Sequence, residues 1–139
     1  MSPRPSVLFA CIHNSGRSVA AQVLTHHHAG DAVEVRSAGS EPGARVNPVV
    51  AQVPAERGLT VGDHVPTRLD AGLVERADVV VTMGCGETCP VFPRKHYEDW
   101  PVDDPAGQDL PTVRRIVDDI DRRVRTLLAQ LGPDEQAAG

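Results

Sequence analysis

The sequence predicts an α/β fold, in which helices cover both faces of a parallel sheet. Residues 6–10 and 78–83 are short, continuous apolar runs, which are typical of strands buried on both faces. Segments whose apolar residues recur at helical spacing alternate with these runs, and that order favours parallel strands joined by helices. Ligands of such sheets bind at the carboxyl ends of the strands, so the loops after the two runs are candidate sites.

The first half of the chain is expected to form two helices and a second strand. Apolar side chains on one face indicate a helix over residues 18–28, and the alternating residues 33–36 indicate a strand. Asn47 followed by Pro48 is typical of a helix start, with asparagine as the N-cap and proline at the first helical position. Pro54 is expected to kink or shorten this helix, because it lacks a backbone donor.

The second half is expected to contain a short helix over residues 71–76 and a long one over 113–131, whose apolar side chains follow helical spacing. Residues 93–107 are rich in proline and acidic side chains and are expected to be irregular. A chain of 139 residues suits one domain with one core. We therefore expect a single domain over residues 1–132, followed by a tail over 133–139.

Composition and charge exclude several classes of function. The net charge is −5 and there is no basic run, which argues against binding to nucleic acid. No apolar run approaches the length of a membrane span, and the N-terminus lacks the apolar core of a signal peptide. A cytoplasmic protein without a membrane segment is therefore expected.

The chain has three cysteines, Cys11, Cys85 and Cys89. An odd number of cysteines without a secretion signal argues against a static disulfide framework. Catalytic, redox or metal-binding roles are favoured instead.

The segment from Cys11 to Ser18 has the spacing of a loop that holds a tetrahedral oxyanion above a nucleophilic cysteine. A short connection between a strand and a helix lets backbone N–H groups converge on an anion. Gly16 permits a tight wrap, and Arg17 offers a planar fork for two oxygens. The same positive field favours the thiolate of Cys11, to which Ser18 can donate a hydrogen bond.

The predicted oxyanion-binding residues are Ile12, His13, Asn14, Ser15, Gly16, Arg17 and Ser18. The alternative is a buried cysteine that lies near an unrelated arginine.

Four segments of the chain resemble the arsenate reductases that are built on the low-molecular-weight tyrosine phosphatase fold. They are residues 7–18, 36–39, 78–83 and 103–107, and the resemblance spans roughly residues 6–131. It implies a three-layer sandwich, in which a four-stranded parallel sheet is flanked by helices.

An attacked oxyanion must lose an oxygen, and a carboxylic acid on a loop can protonate that oxygen. The resemblance places such a loop at Asp103-Asp104-Pro105, and the aspartate before the proline, Asp104, is the candidate general acid. The alternative is that these acidic side chains only solvate a turn.

Cys85 and Cys89 favour a reductase over a phosphatase, because a phosphatase needs one cysteine and water, whereas a reductase needs electrons. In the expected relay, Cys85 attacks the sulfur of Cys11 that carries arsenic, and Cys89 then attacks Cys85. The resulting Cys85–Cys89 disulfide would be reduced by thioredoxin or a comparable dithiol donor. Two alternatives stay open for the pair: zinc binding together with His96, or no chemical role.

Other readings of the whole chain also stay open. They are a reductase that uses mycothiol, a tyrosine phosphatase, and a non-enzymatic protein whose three cysteines bind As(III).

Some relatives hold potassium beside the loop that binds the oxyanion. Asn14 and Ser37 match that pattern, but Gln22 stands at its acidic position, so no metal or cofactor is predicted. Asn14 is expected to brace the loop through bonds from its side chain to the backbone, and a homodimer is possible.

Overall fold

The computed structural model of the protein describes residues 4–62, 64–83 and 96–131. The strands are β1 (Ser6–Cys11), β2 (Glu34–Gly39), β3 (Val79–Thr82) and β4 (His96–Asp99). The helices are α1 (Arg17–Ala29), α2 (Pro48–Glu56), α3 (Ala71–Arg76) and α4 (Leu110–Gln130), with one 3-10 turn over Gly30–Ala32.

The four strands form one parallel sheet in the order β2-β1-β3-β4. The chain leaves the central strand β1 towards β2 on one side and later returns to add β3 on the other. Crevices that bind ligands lie outside the carboxyl ends of strands where the order switches in this way. The switch in this sheet lies at the end of β1, where Cys11 is paired with Gly39 of β2.

Helices cover both faces of the sheet. Successive side chains of β1 point to opposite faces, so both faces carry apolar side chains that the helices bury. Val7 and Phe9 belong to the larger core cluster, to which α1, α2 and α4 contribute buried side chains. Leu8 belongs to the smaller cluster, which Val74 of α3 covers. The predicted three-layer sandwich is confirmed.

The predicted helices are confirmed, with small differences at their ends. Asn47 caps α2 by accepting a hydrogen bond from the Val49 amide at 2.9 Å, and the helix ends two residues after Pro54. The long helix begins at Leu110, three residues earlier than expected, because Asp109 caps it through the Thr112 amide. The predicted tail over 133–139 lies outside the described residues.

The prediction that residues 93–107 are irregular is wrong for residues 96–99, which form β4. This edge strand is short and polar, so its sequence lacks the apolar run that marks the inner strands. It is held by pairing with β3 and by Tyr97, which packs against the smaller core cluster. No helix in the described part of the chain is long and apolar enough to cross a membrane.

Candidate active site

Cys11 is the last residue of β1, and its side chain is buried. After the loop of residues 12–16, helix α1 begins at Arg17, and its cap residue Gly16 has no side chain to satisfy the first N–H groups. The sulfur and the unsatisfied helix N-terminus therefore lie at the same end of the sheet, as the spacing predicts.

Asn14 organises the centre of this loop. It is fully buried with a φ of 51°, a conformation that asparagine adopts more readily than most residues. Its Oδ1 accepts the Thr67 amide at 2.9 Å and His64 Nε2 at 2.8 Å, which fixes the orientation of the amide group. Its Nδ2 therefore donates to Ser18 Oγ, at 2.8 Å. The predicted bracing through a backbone bond is confirmed by the contact with Thr67.

The same bonds leave the Ser18 hydroxyl proton free for the sulfur. Ser18 Oγ lies 2.9 Å from Cys11 Sγ and already accepts a hydrogen bond from Asn14, so its proton points towards the sulfur when that is a thiolate. The backbone N–H of Asn14 also donates to Cys11 Sγ, at 3.2 Å. Two donors therefore stabilise a negative sulfur.

Sequence reasoning missed His64, which is 50 positions away from Asn14 along the chain. Because Asn14 Oδ1 can only accept, His64 Nε2 carries the proton in this bond. Burial lowers the pKa of His64 below its ordinary value of 6.5. No local pattern marks this histidine, because only the tertiary fold brings it to the loop.

A second segment, residues 40–47, holds the predicted oxyanion-binding loop from outside; we call this segment the strap, and we call residues 11–16 the oxyanion loop. Its amides donate to four loop carbonyls: Ser40 to Cys11 at 3.1 Å, Glu41 to Ile12 at 2.7 Å, Gly43 to His13 at 2.9 Å, and Asn47 to Ser15 at 2.7 Å. The N–H and C=O of a trans peptide group point in opposite directions. Carbonyls that point out to the strap therefore turn the N–H groups of the loop inward.

Gly39, at the end of β2, lets the loop pack directly on the sheet. A Cβ at this position would lie 2.5 Å from the Ile12 carbonyl oxygen and 2.8 Å from the Asn14 nitrogen. Both atoms belong to the backbone of the oxyanion loop, so neither can move aside cheaply. The absence of a side chain here is a condition for the shape of the loop.

The loop that carries Asp104 folds over the oxyanion loop. Arg17 Nη1 donates to the Val102 carbonyl at 3.3 Å, and Arg17 Nη2 lies 3.9 Å from Asp104 Oδ2. Pro105 is buried, and its Cγ would lie 3.0 Å from a Cβ built on Gly16. The arginine is almost buried, whereas the Asp104 side chain is 58% exposed, so the carboxyl group stays accessible at the mouth of the site.

These groups enclose a cavity of about 40 Å³ that is lined by Cys11, Arg17, Asn47 and Asp104, among others. It is small, and the Cys11 side chain and the Asp104 carboxyl group both contribute to its lining. Two larger grooves, of about 670 and 500 Å³, contain neither the cysteine nor the arginine. The volume of a cavity alone therefore does not identify the candidate active site.

The other predicted site residues have different surroundings. The ring of His13 is exposed, and its Nδ1 donates to the Glu41 carbonyl at 2.9 Å, on the strap side of the loop. The Ser37 hydroxyl donates to the side-chain oxygen of Gln22. No group of three or more histidine, cysteine or acidic side chains suited to a metal is found among residues 4–62, 64–83 and 96–131. Cys85 and Cys89 lie outside the described residues, so the relay and the zinc alternative stay predictions.

Comparisons with known proteins agree with this fold and loop. The model of the low molecular weight phosphotyrosine protein phosphatase family matches residues 6–137. The putative arsenate reductase of Halobacterium salinarum is 32% identical over 132 residues, which cover 91% of this chain and 93% of that protein.

Two solved structures are similar to the whole fold. The thioredoxin-dependent arsenate reductase of Corynebacterium glutamicum is 44% identical, with a TM-score of 0.83, over 93% of this chain and 62% of that one. This chain thus spans about three-fifths of the length of that relative. The arsenate reductase of Archaeoglobus fulgidus is 35% identical, with a TM-score of 0.75, over 88% of this chain and 98% of that one. By its sheet order and its match over residues 6–137, the chain belongs to the low molecular weight phosphotyrosine protein phosphatase family.

Proposed function

We propose that this chain is an arsenate reductase in which Cys11 is the nucleophile. The observation that carries the proposal is the small cavity that brings the Cys11 sulfur, the Arg17 guanidinium and the Asp104 carboxyl together. Its size suits a free inorganic oxyanion. The names of the similar proteins from Halobacterium, Corynebacterium and Archaeoglobus support arsenate as that oxyanion.

In the first step the Cys11 thiolate attacks the arsenic atom. A sulfur–arsenic bond forms and one arsenic–oxygen bond breaks, while Asp104 protonates the departing oxygen, which leaves as water. Arg17 holds two of the remaining oxygens, and the inward N–H groups of the loop hold the negative charge. Ser18 and the Asn14 amide stabilise the thiolate before the attack.

In the second step Cys85 and Cys89 supply the electrons. The Cys85 thiolate attacks the Cys11 sulfur, and the electron pair of the sulfur–arsenic bond stays with arsenic, which leaves as arsenite. Cys89 then attacks Cys85, which releases the Cys11 thiolate and forms a Cys85–Cys89 disulfide. The two electrons gained by arsenic are thus drawn from two thiols. A dithiol donor of the thioredoxin class then reduces the disulfide, and the word "thioredoxin-dependent" in the name of the Corynebacterium relative supports this donor.

The decisive experiment is a coupled assay with arsenate, thioredoxin, thioredoxin reductase and NADPH. We expect NADPH oxidation that depends on arsenate and is abolished by Cys11→Ser, Cys85→Ser or Cys89→Ser. Replacement of thioredoxin by mycothiol and its redoxin tests the other donor class.

Hydrolysis of a small aryl phosphate by the same variants separates a reductase from a phosphatase. Cys85→Ser and Cys89→Ser should spare any such hydrolysis, whereas Cys11→Ser should abolish it. Full turnover of arsenate by both relay variants would show that the relay is wrong. Hydrolysis without any arsenate turnover would make the chain a phosphatase.

A further inference from the structure

We propose that Gly43 is a positioning residue for Cys11: its backbone N–H holds the peptide group whose own N–H donates to the Cys11 sulfur. The proposal rests on Cys11 as the nucleophile of the proposed function. It adds a residue of the strap, 32 positions after the cysteine in the sequence, to the groups that set the reactivity of the thiolate.

One peptide group, between His13 and Asn14, connects the two residues. On its outer side the His13 carbonyl accepts the Gly43 N–H at 2.9 Å. On its inner side the Asn14 N–H donates to Cys11 Sγ at 3.2 Å. Because a trans peptide group is planar, with these two bonds on opposite sides, a rotation that breaks the outer bond also turns the inner donor away from the sulfur.

This peptide group needs an external hold. The positive φ of Asn14 is uncommon outside glycine, although asparagine adopts it more readily than most residues, so contacts with the surroundings help to hold the backbone here. The bonds of the Asn14 side chain to Thr67 and Ser18 are not made to the peptide group between His13 and Asn14. In the described part of the chain, the bond from Gly43 is the one backbone hydrogen bond to the His13 carbonyl.

The role of Gly43 lies in its N–H group rather than in its missing side chain. A Cβ at this position would lie 3.6 Å from Ser15 Oγ and 3.8 Å from His13 Cβ, which are ordinary contacts. Gly43→Ala therefore fits and keeps the donor, whereas Gly43→Pro removes it. Replacement of Gly43 by glycolic acid also removes the donor, because an ester oxygen takes the place of the N–H.

The test uses the full chain with Cys85→Ser and Cys89→Ser, in which Cys11 is the one remaining cysteine. The ratio of thiolate to thiol is measured from ultraviolet absorbance at each of a series of pH values. Loss of one hydrogen bond to a charged group costs about 1.5 kcal/mol, so Gly43→Pro and the ester should each lower the ratio about tenfold. Gly43→Ala keeps the donor and should change the ratio by no more than about twofold.

Ala44→Pro is the control for a proline ring in the strap, because the Ala44 amide makes none of the strap's four bonds to the loop. Thermal unfolding of every variant separates a general loss of structure from a local effect. A folded ester variant with the thiolate ratio of the parent would overturn the proposal, and this result holds even if the Gly43→Pro variant does not fold. The thiolate ratio does not depend on arsenate turnover, so a chain whose ratio responds as expected but that reduces no arsenate would refute the reductase and leave the role of Gly43 intact.

Discussion

Asp103 and Asp104 are adjacent carboxylates with different relations to Arg17. Asp104 lies 3.9 Å from the guanidinium and lines the small cavity, whereas Asp103 does neither. We expect Asp104→Asn to lower kcat about a hundredfold in the coupled assay, because the departing oxygen loses its proton donor. Asp103→Asn is the matched control and should retain kcat within about twofold. Equal losses of kcat in the two variants would mean that the total negative charge of the loop, rather than proton donation by Asp104, determines the rate.

His64 gives the folded protein a pH dependence whose sign can be worked out. Burial lowers its pKa below 6.5 in the folded state, so the unfolded chain binds the proton more readily as the pH falls. The folded state therefore loses stability as the pH falls below about 6.5, and it loses nothing through this group at higher pH. His64→Gln keeps a donor for Asn14 Oδ1 but does not titrate. Urea unfolding at several pH values should show a smaller loss in this variant; identical losses would assign the effect to other groups.

Single residues of the site differ in how far the sequence could predict them. The placement of Cys11, Arg17 and Ser18 was predictable, because it depends on spacing within one short loop that the structure confirms as a strand-to-helix turn. The bonds of Arg17 to the Val102 carbonyl and of Asn14 to His64 join positions far apart in the chain. Such partners follow from the sheet order, which no local pattern encodes.

At the scale of elements, the strands buried on both faces were predictable, and the edge strand β4 was not. β1 and β3 are continuous apolar runs because helices cover both of their faces. β4 contains His96, Glu98 and Asp99, and its pairing with β3 outweighs its weak intrinsic preference. The strap could not be predicted from the sequence either. Its contacts with the loop use backbone atoms, and its residues share no side-chain type.

Helix α1 contains one polar group that its packing does not satisfy. Thr25 is fully buried, and its hydroxyl has no hydrogen-bond partner within the described part of the chain. Thr25→Val keeps the shape of the side chain, so we expect the free energy of unfolding in urea to rise by about 1 kcal/mol. Thr126→Val is the control, because Thr126 donates to the Arg122 carbonyl on the exposed side of α4, and it should bring no gain. A loss of stability in Thr25→Val would indicate a partner for this hydroxyl.

At the scale of the molecule, an oxyanion bound in the proposed site would contact three parts of the chain: the loop of residues 12–16, the start of α1 and the loop of Asp104. A ligand that binds only the folded state at a hundred times its dissociation constant raises the free energy of unfolding by about 2.7 kcal/mol. We expect sulfate, a probe that cannot be reduced by the thiols here, to produce this increase in thermal or urea unfolding. Sulfate also stabilises proteins generally, so Arg17→Ala measures that background. The same increase in both proteins would mean that sulfate does not bind at this site.

The pairing of Cys11 with Gly39 has a consequence for how this site can change. The sulfur takes its position from β1, an inner strand that pairs with β2 on one side and with β3 on the other. The acid takes its position from an exposed loop that is tied down by an arginine and one proline contact. Insertions or substitutions in that loop could therefore change which leaving group is protonated without moving the Cys11 sulfur. The same cysteine could then take part in a different reaction.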